Sequence, residues 1–499
     1  MKEKKNRKSG ILMPVASLPG KYGIGTFGKE SYNFVDMLHE AGQSFWQILP
    51  LGPTSYGDSP YQSFSTFAGN PYFIDPELLI EEGLLTQKEA DSYDFGKKAD
   101  TIDYGKIYNA RFKMLHIAYK RCNLSKDKGF ARFCKANAFW LEDYALYMAV
   151  KNSFGGVSFI EWDEPIRKRD KKTVDIYKKK YAGEIEFYKF LQYKFLTQWK
   201  ALKEYANDKG IKIIGDIPIY VAFDSADTWA NPELFQFDEK GYPIAVAGCP
   251  PDGFSATGQL WGNPLYDWDH HKATGYKWWI SRIKHCYELY DVVRVDHFRA
   301  FDAYYAIPYG DKTAEFGRWK KGPGFALFKE MRQELGDMDM IAEDLGFLTD
   351  SVINLVRRTG CPGMKVLQFA FDSRADSDYL PHNYVSNTVC YTGTHDNDTT
   401  VGWFKTLKAA DRKMAMEYIN RNDLSSDKEL AFAFIKLAMS SVSKLCIIPM
   451  QDYLGLGNEA RINLPSTVGG NWIWRMKKGA FTKKLARDIR RITKLYARM

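Results

Sequence analysis

A chain of 499 residues with 45% hydrophobic and 26% charged positions can bury a large core, which excludes global disorder. Its formal charge of +9 comes from 70 Lys and Arg against 61 Asp and Glu, and no apolar run approaches the length of a membrane helix, so an acidic solvating chain and a helical membrane protein are both excluded. Aromatic residues make up 15%, a share that serves sugar-binding clefts as well as large cores.

The N-terminus MKEKKNRKSG is basic, but the following ILMPVA is too short for a signal peptide and contains proline. Eight short apolar runs recur along the chain, over residues 11–17, 44–51, 211–219, 292–297, 338–344, 364–371, 388–394 and 445–450. Helical patterns lie between them, for example over 31–41, ending at Gly42, and over 185–207, ending near Gly210. Eight strands with intervening helices predict an α/β fold of the (β/α)8 TIM-barrel kind. Two gaps exceed one crossover helix. The first predicts a mainly helical, charged insertion subdomain over 75–182 after strand 2, and the second a loop-rich insertion over 222–290 after strand 3. Residues 1–74 and 183–499 then form the catalytic barrel.

Two basic runs carry much of the excess charge, residues 165–181 and 477–499. In the second, Phe481, Leu485, Ile489, Ile492 and Tyr496 recur at helical spacing, so it reads as an amphipathic helix docked on the body. No nucleic-acid motif accompanies either run. Both read as solvated faces, and neither a nucleic-acid nor a membrane partner is expected. The seven cysteines are scattered with no C-x-x-C, which indicates neither a zinc site nor a disulfide framework; Cys390 and Cys446 read as inert core. A reducing cytoplasm is the expected compartment. Nothing in the sequence specifies an oligomeric state.

Residues 23–28 match G-x-G-x-x-G, yet a dinucleotide fold needs an acid closing the next strand, and that strand ends QILPLGP. A glycine-rich loop at the barrel mouth fits better. In 291–300, DVVRVDHFRA, strand alternation puts Arg294 and Asp296 on one face. The guanidinium is expected to hold that carboxylate ionised and lower its pKa. GDIP, IAEDLG and TGTHDND end other strands, so Asp216, Asp296, Glu343 and Asp396 all fall at the C-terminal ends of predicted strands. In a barrel that is the active face. Cleavage of a glycosidic bond needs one ionised carboxylate and one carboxylic acid flanking it. Asp296 suits the first role, and Glu343, with no basic neighbour in sequence, suits the second. His395 and Asp396 can hold ring hydroxyls. A divalent-metal site built from the same acids is the competing reading.

RVDHF, IAEDLG and TGTHDN, in that order, resemble the later conserved regions of the α-amylase clan. PLGPTSYGDSPYQSFSTFAGNP (50–71), PPDGFSATGQLWGNPLYDW (250–268) and MQDYLGLGNEARINLPSTVGGNWIWR (450–475) look like signatures of the 4-α-glucanotransferases of glycoside hydrolase family 77, also called amylomaltases or disproportionating enzymes. The resemblance covers about residues 10–476. It implies Asp296 as nucleophile, Glu343 as general acid/base and Asp396 as transition-state stabiliser. It implies that Arg294, His395 and Asp216 hold the sugar at the cleavage point, with Tyr61 stacking on it. Asp252, Gln259, Trp261 and Asn463 look like further sugar contacts, and Tyr56 and Phe254 like outer aromatic platforms.

The Asn and His of the hydrolytic amylases' D-x-x-x-N-H are absent after Asp216, and the eighth strand leaves no room for a C-terminal β-sandwich. No metal and no cofactor is expected. The implied partners are an α-1,4-glucan donor and a glucose or maltooligosaccharide acceptor. The rivals are an α-glucan hydrolase with the same carboxylates and a non-catalytic glycan-binding protein; the intact acids argue against the second. Residues 249–264, with their glycines, Phe254 and Trp261, are expected to cover the cleft and keep water out.

Overall fold

The computed structural model describes residues 7–55, 57–251, 255–346, 348–421 and 423–499. In chain order the strands are β1 (Lys8–Leu12), β2 (Phe45–Gln47), β3 (Lys212–Pro218), β4 (Ala245–Cys249), β5 (Gln259–Pro264), β6 (Val292–Asp296), β7 (Ala303–Pro308), β8 (Arg318–Lys321), β9 (Met340–Ala342), β10 (Gly363–Val366), β11 (Thr388–Tyr391) and β12 (Leu445–Pro449). Eight of them close a parallel barrel in the order β1-β12-β11-β10-β9-β6-β3-β2. These eight are the segments that the apolar runs predict. Their near-continuous burial, as in LCIIP of β12, is what a parallel sheet covered on both faces demands. Several strands are shorter than their apolar runs. Pro14 has no N–H for a ladder, and the chain turns there into the 3-10 helix Val15–Ser17.

The connection from β2 to β3 is helical, with Tyr104–Arg121, Ala138–Ser153 and the long Ala182–Asp208 among its helices. Two glutamines of the last helix pair with backbone as a neighbouring strand would. Gln192 accepts from Gly69 N at 2.7 Å and donates to Gly69 O at 2.9 Å. Gln198 accepts from Asp75 N at 2.7 Å and donates to Asp75 O at 3.4 Å. The loop after β2 is thereby pinned to a rigid helix.

The stretch expected to be rich in loops holds more regular structure than its glycines suggest. β4 and β5 join β7 and β8 in an antiparallel sheet, ordered β5-β4-β7-β8. Two of its strands come from the connection after β3 and two from the connection after β6, so neither connection shows the sheet alone. At the other end of the chain, the helix Lys483–Leu495 buries Leu485, Ile489 and Ile492 and leaves its basic residues outward. The fully buried Arg498 donates to the carbonyls of Met439, Ser443, Lys8 and Ser441, fastening the tail beneath β1 and β12. Among the described residues no helix is long and apolar enough to cross a membrane.

Candidate active site

The register of β3 against β6 sets Asp216 beside Arg294 and Pro218 beside Asp296. Arg294 Nη1 donates to both oxygens of Asp216, at 2.8 and 2.7 Å, and Nη2 lies 3.1 Å from Asp296 Oδ1. Arg294 and Asp216 are almost wholly buried, whereas 29% of the Asp296 side chain stays open to the cleft. One guanidinium thus serves two carboxylates, and this overturns the expectation of a lowered Asp296 pKa. Burial pushes Asp296 up to about 7; Arg294 pulls it down, and the Glu343 and Asp216 charges push it up again.

Glu343 follows β9. Its oxygens accept from His297 N at 2.7 Å and from Leu345 N at 2.9 Å, which sets its carboxyl against the backbone directly after Asp296. His297 takes a left-handed backbone (φ 52°), and this turns its N–H toward Glu343. Burial raises the Glu343 pKa. Arg294 and the two N–H donors oppose that without reversing it. Two raised, neighbouring carboxyls titrate as a pair, so the cleft holds a proton more readily than isolated acids would.

Asp396 follows β11. His395 Nε2 lies 3.2 Å from its Oδ2, and Asn463 Nδ2 donates to its Oδ1 at 2.7 Å. Burial acts to raise Asp396, but His395 and Asn463 outweigh it and hold the carboxyl well below the usual range. Burial alone would lower His395; the Asp396 charge overrides that and raises it. Tyr61 joins the two sides of the cleft. Its hydroxyl donates to Asp216 Oδ2 at 2.8 Å, and its ring stacks on His395 with centroids 5.2 Å apart.

The structure therefore brings Asp216, Arg294, Asp296, Glu343, His395, Asp396, Asn463 and Tyr61 into one connected cluster. Trp261 meets the His297 ring edge-on at 4.7 Å, and its Nε1 donates to Gln259 at 3.2 Å, so both stand at the cleft wall. Tyr56, Asp252 and Phe254 lie outside the described residues.

Sequence reasoning missed three participants. Arg461 donates to Asp396 O at 2.9 Å and to Asn463 O at 2.7 Å, bracing that side. Trp472 adds a third ring, 5.8 Å from Tyr61 and 6.0 Å from His395. Asp452, fully buried, accepts from Thr392 Oγ1 at 2.5 Å and from Thr400 N at 2.8 Å, closing the loop that carries His395 and Asp396. All three fall in the C-terminal stretch 450–475, whose acids and rings are the signal that was available for Asp452 and Trp472 but not for Arg461.

The family pattern described as 4-alpha-glucanotransferase matches residues 13–482. A 4-alpha-glucanotransferase of Clostridium butyricum is 50% identical over 97% of this chain and 100% of that protein. One of Thermus thermophilus is 45% identical over 99% of each. The solved structure of an amylomaltase from Streptococcus agalactiae in complex with acarbose superposes with a TM-score of 0.95 at 43% identity, over 99% of both chains.

Proposed function

This chain belongs to the 4-alpha-glucanotransferase family, and from that premise we propose how its cleft moves a segment of α-1,4-glucan from a donor to the 4-hydroxyl of an acceptor. Asp296 is the nucleophile. One of its oxygens bonds to the anomeric carbon as the glycosidic C–O bond breaks, and Glu343 gives its proton to the departing oxygen. The acceptor hydroxyl then returns a proton to Glu343, and its oxygen displaces Asp296. Two inversions retain the anomeric configuration. Asp396, kept anionic by His395 and Asn463, stabilises the positive charge that develops on the sugar ring. Asp216, Arg294, His395 and Tyr61 hold the sugar at the cleavage point, with Asn463, Gln259 and Trp261 contacting it further out. The donor is an α-1,4-glucan and the acceptor is glucose or a maltooligosaccharide.

The observation that carries this reading is the convergence of Asp296, Glu343 and Asp396 around one guanidinium, Arg294, whose charge acts on all three. The lowered pKa keeps Asp396 anionic as the stabiliser, and the raised, neighbouring pair Asp296 and Glu343 can share the one proton that a nucleophile and an acid require between them. We take residues 75–182 as a subdomain that supports the barrel's β2 side. Incubation with maltotriose tests the function. The expected products are glucose and longer maltooligosaccharides with little net gain in reducing ends. Reducing ends generated as fast as substrate disappears would replace the transferase with a hydrolase.

A further inference from the structure

The antiparallel sheet carries a feature that the reaction does not use. Its edge strand β8 is exposed at every residue. Edge strands are normally guarded by charge, as Arg318, Lys320 and Lys321 guard this one. Trp319 does not fit that rule. The residue is 43% exposed, and Phe316, three residues earlier, is 74% exposed.

Trp319 is held in place rather than free to swing. The Arg299 guanidinium lies 4.1 Å from its ring centroid, and Tyr305, its register partner on β7, meets it edge-on at 5.2 Å. A Cβ at Gly317 would overlap the Tyr305 ring, so the glycine lets this arrangement close. Trp319 and Phe316 together expose more ring surface on this short stretch than a single scattered residue would.

The platform is continuous with the cleft. Arg299 follows His297 by two residues, and His297 carries the N–H bonded to Glu343 and the ring that meets Trp261. The loop before β8 is tied to the one before β5 by Ala314 N donating to Thr257 O at 3.0 Å. The platform and the cleft wall around Gln259 and Trp261 are thus one braced unit.

We propose that Trp319 and Phe316 form an outlying sugar platform that binds the part of a long α-1,4-glucan extending beyond the cleft. The Trp319 ring face away from Arg299 and the Phe316 ring take the apolar C–H faces of glucose units, and Lys321, which shares the Trp319 face of β8, donates to their hydroxyls. A chain held at two points reaches a higher effective concentration at the cleft than a short one. This rests on the glucanotransferase reading above and adds to it a preference for long chains.

The full-length protein tests it in two assays. In the Asp296→Asn background, retardation by soluble amylopectin in native gels reads binding alone. In the active enzyme, KM for amylose is compared with kcat/KM for maltotriose. Trp319→Ala with Phe316→Ala should weaken retardation and raise the amylose KM about three- to tenfold, a fraction of the gain that linking two contacts can reach, while maltotriose turnover is unchanged. Trp319→Phe should keep most of the binding. Unchanged retardation, or parallel losses on amylose and maltotriose, would overturn the platform and leave Trp319 as a cap on the small apolar cluster of Val246, Tyr305 and Ile307. A parent enzyme that fails to transfer maltotriose would instead overturn the function on which the platform rests, and the gel assay reads independently of that.

Discussion

The two sides of the cleft treat their carboxyls in opposite ways. At the end of β6, Asp296 shares one guanidinium with Asp216 and faces a second carboxyl, Glu343, and burial drives both upward. At the end of β11, Asp396 has a histidine and an amide to itself and is driven downward. Both acids close a parallel strand of the same barrel. What separates them is the number of donors available to each, and that is a property of the neighbouring loops. One mouth can then hold a proton at one place and a fixed anion at another, without the charges destroying each other.

The largest effect expected on this contrast comes from Asp296→Asn, which keeps shape and removes the nucleophile. Turnover should fall roughly 10³-fold or more with the thermal midpoint little changed. A folded variant with near-normal transfer would remove Asp296 from the mechanism.

Asn463→Ala attacks the other side. It takes away a hydrogen bond to an anion, a contact of about 1.5–3 kcal/mol, so kcat should drop about ten- to a hundredfold. The Asp396 pKa should rise toward the ordinary range. If kcat holds and only KM rises, Asn463 serves binding rather than Asp396.

A third test reads the pair itself. Asp296 must be ionised to attack while Glu343 keeps a proton, so the working form of this raised, coupled pair carries one proton between them. Activity therefore falls as pH drops and the pair takes up a second proton, and it falls again at higher pH once the pair loses its last one. The kcat/KM profile should be bell-shaped. Arg294→Lys weakens the forked contact with Asp216 and the pull on Asp296. The acid limb should move to higher pH by about half a unit to one unit. A limb that stays in place would show that Arg294 does not set the Asp296 charge.

The smallest effect is expected from Trp261→Ala. The covalent glucosyl intermediate can be attacked by water or by a sugar hydroxyl, and a wall that excludes water favours the sugar. Removing the indole should raise the share of hydrolysis, measured as reducing ends per maltotriose consumed, with total turnover changed less than in the other variants. An unchanged ratio would confine Trp261 to packing on His297.

The sequence by itself determined the barrel, because each of its strands is a local run buried on both faces, and burial of that kind is written in consecutive residues. It also determined that Arg294 and Asp296 share a face, which is a matter of strand period alone. It put acids at the strand ends where a barrel works.

Tertiary structure decided the rest. The Arg294–Asp216 pair spans 78 residues, and only strand register brings it together. The upward shift of Asp296 is a balance of burial against several charges, and no local pattern contains that sum. Arg461 and Trp472 enter the cleft because the segment after β12 folds back over the end of β11, and the antiparallel sheet exists because two separate barrel connections meet. Periodicity reports what a residue's own segment buries. Pairing, shared charge and electrostatic balance depend on which segments meet, and that is fixed only when the chain closes on itself.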